Sequence, residues 1–140
     1  MSARGFCRGA VLALALMLPA PSMAAAEPPP LRDSEHINSR LLAAAIGDVI
    51  RRTCPDISDR RWTVRAEALK LYNHAISLGH SRRSIEAYLE DPDARAWMEG
   101  QRDAWLAARG AEPGDAESHC RIGMQEIAQG SYLGSLLRAD

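Results

Sequence analysis

The most regular feature of the chain is an apolar stripe near its start. Apolar side chains recur there at spacings of one, three and four residues, which places them on one face of an α-helix: Ile37, Leu41, Leu42, Ala45, Ile46, Val49 and Ile50. Asp33 or Ser34 can cap the start of this helix. Pro55 ends it, because proline disfavours the helical conformation for the residue before it. The pattern predicts one long first helix between these positions.

Helical patterns recur along the rest of the chain. They run from Ser58 to Leu78, from His80-Ser81 over a few turns, from Asp91-Pro92 to Arg109, and from about Ala116 to a kink or restart at Gly130-Ser131. In the second helix, the inward face is predicted to consist of Trp62, Ala66, Leu69, Tyr72 or Asn73, and Ile76. No alternating strand pattern is visible. The expected fold is all-α, a small bundle of about five helices held by one disulfide.

Residues 1–26 have the composition of a secretory signal peptide. Arg4 and Arg8 precede an apolar run, and a small-residue tail then offers cleavage after Ala24 or Ala26. The apolar run is about half of the ~20 residues that span a bilayer, so we expect no stable membrane span after cleavage. Residues 27–32 form a Pro-rich leader in which no helix can start. Residues 33–140 are predicted to form a single helical domain.

Charge is distributed unevenly along the mature chain. Without Arg4 and Arg8, the chain contains 15 basic and 18 acidic residues. A protein that binds nucleic acid is expected to be strongly basic, and this chain is not. Residues 40–83 contain nine basic and four acidic side chains, whereas residues 84–140 contain five and eleven. Either the two halves pack with complementary faces, or the surface is polarised and binds a charged partner.

Two cysteines, Cys54 and Cys120, remain in the mature chain. An exported chain with two cysteines is expected to form one disulfide, because its compartment is oxidising. The alternative is a nucleophilic thiol, which needs an activating base within reach. His119 is adjacent to Cys120, but neighbouring side chains on a helix point about 100° apart. Spacing therefore does not indicate a catalytic pair.

No pattern in the chain indicates an enzyme. His36, His74, His80 and His119 lack the short paired spacings of zinc sites, and surface or capping roles are expected for them. The nucleophile-elbow, phosphate-loop and dinucleotide motifs are absent from the sequence. We therefore expect no catalytic residues, no metal site and no cofactor.

A cluster of five arginines is the strongest candidate for a binding site. Its members surround the corner at Cys54: Arg51, Arg52, Arg60, Arg61 and Arg65. The first two suit the negative end of the first helix, whereas Arg60 and Arg61 oppose the positive end of the second helix. This unfavourable position of Arg60 and Arg61 favours a binding role for them, such as contact with an acidic partner. Ion pairs with acidic residues of the same chain would also explain it. The three tryptophans favour core positions, with an exposed docking anchor as the alternative.

Several segments carry a recognisable combination of residues: T-C-P-x-I-S at 53–58, L-G-H at 78–80, W-L-A-A-R-G at 105–110, C-R-I-G-M-Q-E-I-A-Q-G-S at 120–131 and G-S-L-L-R at 134–138. Together they resemble a family of small exported proteins from proteobacteria that is defined only as a domain of unknown function. The resemblance extends over nearly the whole mature chain. It implies a periplasmic location and pairing of Cys54 with Cys120, and it carries over no catalytic residues.

Two functions from different classes are consistent with these patterns. The first is a non-enzymatic periplasmic protein that binds an envelope protein or complex through the arginine cluster or an exposed tryptophan. The alternative is a disulfide-stabilised periplasmic stress chaperone. Both place the protein in the periplasm or outside the cell after cleavage of the signal peptide.

Overall fold

The computed structural model describes residues 26–140, so the predicted signal peptide lies outside the described residues except for Ala26. In chain order, the elements are a 3-10 turn at Leu31–Asp33, α1 at Glu35–Thr53, β1 at Ile57–Asp59, α2 at Arg61–Ser77, α3 at Arg82–Glu90, α4 at Pro92–Ala107, α5 at Ala116–Gln129, α6 at Tyr132–Ser135 and β2 at Leu137–Ala139. The predicted all-α class is confirmed, with one disulfide between Cys54 and Cys120.

Most helix starts and stops follow local capping chemistry. The Ser34 hydroxyl accepts from the amide of Ile37 at the start of α1, and the Asp91 carboxylate accepts from the amide of Ala94 at the start of α4. Gly79 and Gly110 follow α2 and α4 with φ of 97° and 77°, a conformation that costs glycine little. These boundaries agree with the sequence-based ones.

A two-stranded sheet is the main feature that the sequence pattern did not predict. β1 and β2 pair antiparallel, with Ser58 opposite Arg138. The predicted second helix therefore starts too early, because Ser58 lies in β1 and α2 begins at Arg61. The last apolar residues also divide between elements: Leu133 lies in α6, whereas Leu137 lies in β2. The sheet ties the end of the chain to the segment after α1.

The core consists of two apolar clusters joined by α1. The larger contains residues of α1, α4, α5, α6 and both strands: Ile46, Ile50, Cys54, Ile57, Leu106, Ile122, Leu133 and Leu137. The smaller lies between the 3-10 turn, the first half of α1, α2 and α3: Leu31, Ile37, Ala75 and Ile85. The helices therefore pack around two small cores rather than around one large core.

Close helix packing in the larger cluster depends on Gly123 of α5. A Cβ atom there would lie 2.8 Å from Cγ2 of Ile50 and closer still to Cδ1 of Ile57. Only glycine lets α5 approach α1 and β1 at this distance. The same approach brings Cys120 to Cys54.

The inward face predicted for α2 is wrong except for Tyr72, which packs against the smaller cluster. Trp62, Leu69 and Ile76 are 81%, 60% and 41% exposed, and Ala75 is the one buried residue of this helix. Apolar side chains occupy both sides of α2, so periodicity alone did not indicate which side faces the core. Elsewhere, the large apolar side chains of Leu89 and Met124 are also 47% and 37% exposed.

Candidate functional site

The disulfide fixes the corner around which the arginines lie. Cys54 ends α1 and Cys120 belongs to α5, and their Cα atoms are 5.0 Å apart. Asp56 lies close enough to both sulfur atoms to form a potential metal-ligand group within the described residues. Because both sulfurs are bonded to each other, neither is a thiolate ligand or nucleophile while the disulfide is intact.

Arg51 and Arg52 do not belong to the same surface as the other three arginines. Both guanidinium groups pair with the carboxylate of Asp48, one turn earlier on α1, and both are largely exposed. Exposed pairs of this kind contribute at most about 1 kcal/mol. The cluster of five predicted from sequence is therefore divided, and these two charges are matched locally.

Arg60 has a structural role. Its amide donates to the carbonyl of Leu136 at 2.8 Å, and its Nε donates to the carbonyl of Leu137 at 3.0 Å. The side chain thus holds the C-terminal strand next to β1. Arg60 lines the same surface cleft as Arg61 and Arg65, but its Nε is already engaged.

Arg61 and Arg65 flank an exposed tryptophan at the start of α2. The guanidinium carbon of Arg65 lies 5.7 Å from the centre of the Trp62 ring, a cation–π distance. Within residues 26–140, no carboxylate lies within 4.0 Å of either guanidinium. The shallow cleft beside them also includes Asp59 and Arg138, and Arg138 is itself paired with Asp140 at 3.5 Å. Two cations beside an indole thus remain available for a partner.

The exposed apolar side chains of α2 continue from this point along the helix. At about 100° per residue, six side chains fall within an arc of about 100°. One of them, Tyr72, is half-buried against the smaller cluster. The other five are exposed: Arg61, Trp62, Arg65, Leu69 and Ile76. We call these five residues the Trp62 face. It combines aromatic and aliphatic area with two unpaired cations.

The other two tryptophans occupy more protected positions. Trp105 packs against the larger core cluster, with the Arg109 guanidinium 3.5 Å from its ring centre. Trp97 is 36% exposed, and Arg32 lies 5.6 Å from its ring. The core role favoured from sequence holds for Trp105, whereas Trp62 takes the exposed position that was the alternative.

His36 is exposed, which agrees with the surface role expected for it, whereas two other histidines are not at the surface. His80 and His119 are buried, and Nδ1 of His119 lies 2.7 Å from the carbonyl oxygen of Asp115. His36 of α1 and His74 of α2 contact each other edge to face, with ring centres 4.7 Å apart. The first pair is part of the packing, and the second joins two helices near the surface.

These features define a small all-α protein in which a disulfide joins the end of α1 to α5. None of the helices within residues 26–140 combines the length and apolar character that crossing a membrane requires.

The model of DUF5333, a family of unknown function, matches residues 29–138. The chain belongs to this family. No curated protein and no solved structure shows significant similarity to it.

Proposed function

We propose that this protein is a non-enzymatic interaction module of the periplasm, and that its Trp62 face binds an acidic segment of an envelope protein. The observation that carries the proposal is Trp62, which is 81% exposed at the start of α2 between Arg61 and Arg65. The proposal concerns an accessory role in which binding itself is the activity.

Residue chemistry supports a protein partner on this face. Tryptophan and arginine are the residues that most often dominate binding energy at protein interfaces. Covering an exposed indole removes a large apolar area from water, at about 25 cal/mol per Å². The backbone of α2 is helical from Arg61 onward, so these side chains are presented on a rigid element. Binding therefore has to order these side chains but not the backbone that carries them.

Charge indicates the kind of partner. Arg61 adds positive charge at the positive end of the α2 dipole, which is unfavourable for the isolated helix. A carboxylate on the partner would reverse that cost and can accept two parallel hydrogen bonds from one guanidinium. An acidic segment with at least one apolar side chain therefore fits the Trp62 face.

Two features support export. The disulfide joins Cys54 to Cys120, and such bonds persist in oxidising compartments. The first 26 residues also have the pattern of a signal peptide. An envelope partner follows from this location.

Reversing both free charges, with Arg61→Glu and Arg65→Glu, is expected to weaken partner binding at least tenfold, or ~1.4 kcal/mol. Two like charges would then oppose the acidic segment. The measurement compares the tagged variant with the tagged original protein. Both are used to isolate partners from the envelope fraction of the native cells, and affinity for the recovered partner is then measured with purified components.

The matched control is Arg82→Glu with Arg83→Glu, which makes the same change of charge on the exposed surface of α3. It should retain the partner. Equal loss with both double variants would show that net charge, rather than the Trp62 face, controls binding. Unchanged binding of the Arg61 and Arg65 variant would contradict the proposal.

A second candidate function is a disulfide-stabilised stress chaperone, and the division of the core into two small clusters favours it. Under mild acid stress, the apolar residues of the smaller cluster would become exposed while the disulfide still joins α1 to α5. A hydrophobic dye should then bind more strongly at mildly acidic pH than at neutral pH. Dye fluorescence that does not change with pH would rule out this candidate.

A further inference from the structure

A largely apolar cavity of about 190 Å³ lies between α1, α2 and α3, beside α6. Its walls carry eleven apolar side chains: Leu31, Ile37, Leu41, Ala44, Val64, Ala68, Leu71, Ala75, Ile85, Leu89 and Leu136. Protein interiors are close-packed and contain few voids larger than a water molecule. This space is open to solvent on one side, where Ala68 and Leu89 are exposed, so a ligand can enter it from solution.

The cavity arises from the residues that α2 turns inward. From α2, the small side chains of Ala68 and Ala75 line it together with Val64, Leu71 and Tyr72, whereas Trp62 and Leu69 of the same helix are exposed. Ala44 of α1 lies on the facing wall and adds little volume. α2 thus spans a space that its own side chains do not fill.

The volume limits what can occupy this space. An apolar cavity of about 150 Å³ stays dry and binds a six-carbon ring. By proportion, about 190 Å³ accommodates roughly eight carbon atoms. A medium-length hydrocarbon chain lies within this volume, whereas a longer acyl chain would extend from its open side into solvent.

One wall of the cavity is polar and carries three side chains, Arg40, Glu67 and Tyr132. The Arg40 guanidinium lies 3.7 Å from the centre of the Tyr132 ring. Within the described part of the chain, no carboxylate lies within 4.0 Å of that guanidinium. Glu67 instead pairs with Lys70 at 2.6 Å. The hydrogen bond from Lys70 is the main reason that the pKa of Glu67 is lowered.

The two charged residues on this wall are therefore not equivalent. Lys70 is the direct partner of Glu67, whereas the direct partner of Arg40 is the Tyr132 ring, and Glu67 acts on Arg40 only through a weaker charge interaction at longer range. A guanidinium at the edge of an apolar cavity attracts an anion, and its geometry matches a carboxylate or a phosphate. The polar wall would therefore contact the head group of a ligand, and the apolar walls would contact its hydrocarbon chain.

We propose that this cavity binds a medium-chain carboxylate of about eight carbons, with its chain between α1, α2 and α3 and its carboxylate on Arg40. The site is separate from the Trp62 face and does not depend on the proposed docking function. The ligand class is a free carboxylic acid, or a molecule that ends in one. Binding would fill the void and pack α2 against the other helices.

Three eight-carbon probes that differ only in the head group test this proposal: octanoate, octanol and octylamine. Each is titrated into the complete mature protein, with binding followed by calorimetry and by NMR shifts of the cavity methyl groups. We expect octanoate to bind at least about tenfold more tightly than octanol, and octylamine to bind most weakly. Equal binding of octanoate and octanol would contradict the assignment of the head to Arg40.

Two variants test the contacts of the hydrocarbon chain and of the head group separately. Arg40→Gln should reduce octanoate binding to the level of octanol and leave octanol binding unchanged. Ala75→Leu should fill the cavity and abolish binding of both probes. Its thermal unfolding shows whether it remains folded, and the Arg40→Gln comparison stands if it does not. If none of the probes binds the original protein at millimolar concentration, the cavity is only a packing void and the proposal is wrong.

Discussion

Replacing Cys54 and Cys120 with serine should lower the free energy of unfolding by about 4 kcal/mol. The disulfide closes a loop with a sequence separation of 66 residues. Removing it frees the unfolded chain to adopt many more conformations, which stabilises the unfolded state by roughly this amount. Small domains have about 5–15 kcal/mol of stability in total. The double variant should therefore be close to unfolding at physiological temperature.

Urea unfolding of the oxidised protein and of the double variant measures this difference. The original protein under strong reducing conditions is the matched control and should unfold at the same urea concentration as the variant. A loss below about 1 kcal/mol would show that the two cores, rather than the disulfide, hold the ends of the chain together.

The second large effect is expected from Gly134→Ala in α6, which should cost about 3 kcal/mol. A Cβ atom at Gly134 would lie 2.7 Å from the amide nitrogen of Ile127 and closer still to the carbonyl of Glu126. Both are backbone atoms of α5, so no side-chain rotation relieves the overlap. The short helix α6 would have to move away from α5 and carry Leu133 and Leu137 out of the larger core.

Gly100→Ala provides the matched control. Gly100 lies within α4, and a Cβ atom there would meet nothing within 4 Å. The same change at this position should stabilise the protein by about 0.5–1 kcal/mol, because alanine favours the helix. Thermal unfolding of both variants gives the comparison. A neutral Gly134→Ala variant would contradict the close packing of α6 on α5.

The parts of the fold that were predictable from sequence depend on local chemistry. The caps at Ser34 and Asp91 and the left-handed glycines Gly79 and Gly110 act within a few residues. Capping residues and glycines are therefore visible in the sequence before any packing is known. The pairing of Cys54 with Cys120 was predictable for a different reason, since residues 26–140 contain no other cysteine.

The two-stranded sheet was not predictable in the same way. Each strand has three residues, too few to display an alternating pattern. Ser58 also resembles the cap of a helix. The pairing with Arg138 joins residues 80 positions apart, so it depends on the folded arrangement of both ends rather than on local preference.

The candidate site was only partly predictable. The sequence identified the arginines but not the different tasks that the structure gives them: Arg51 pairs with Asp48, Arg60 holds Leu136 and Leu137, and Arg65 lies beside Trp62. The side of α2 that faces the core was ambiguous because both sides are apolar. The presence of alanines on one side was the available signal, since small side chains mark the position where a helix approaches its neighbours or leaves a cavity.

Site-specific photocrosslinking in the native cells tests the proposed docking face most directly. A photoreactive amino acid replaces Leu69 on the Trp62 face or, as the control, exposed Ala96 on α4. The account predicts one discrete crosslinked protein from position 69, formed through an acidic segment of that protein, and its loss when Arg61 and Arg65 are both changed to Glu. The account would be contradicted by no crosslink at position 69, by the same product from position 96, or by a product that persists after the charge reversal.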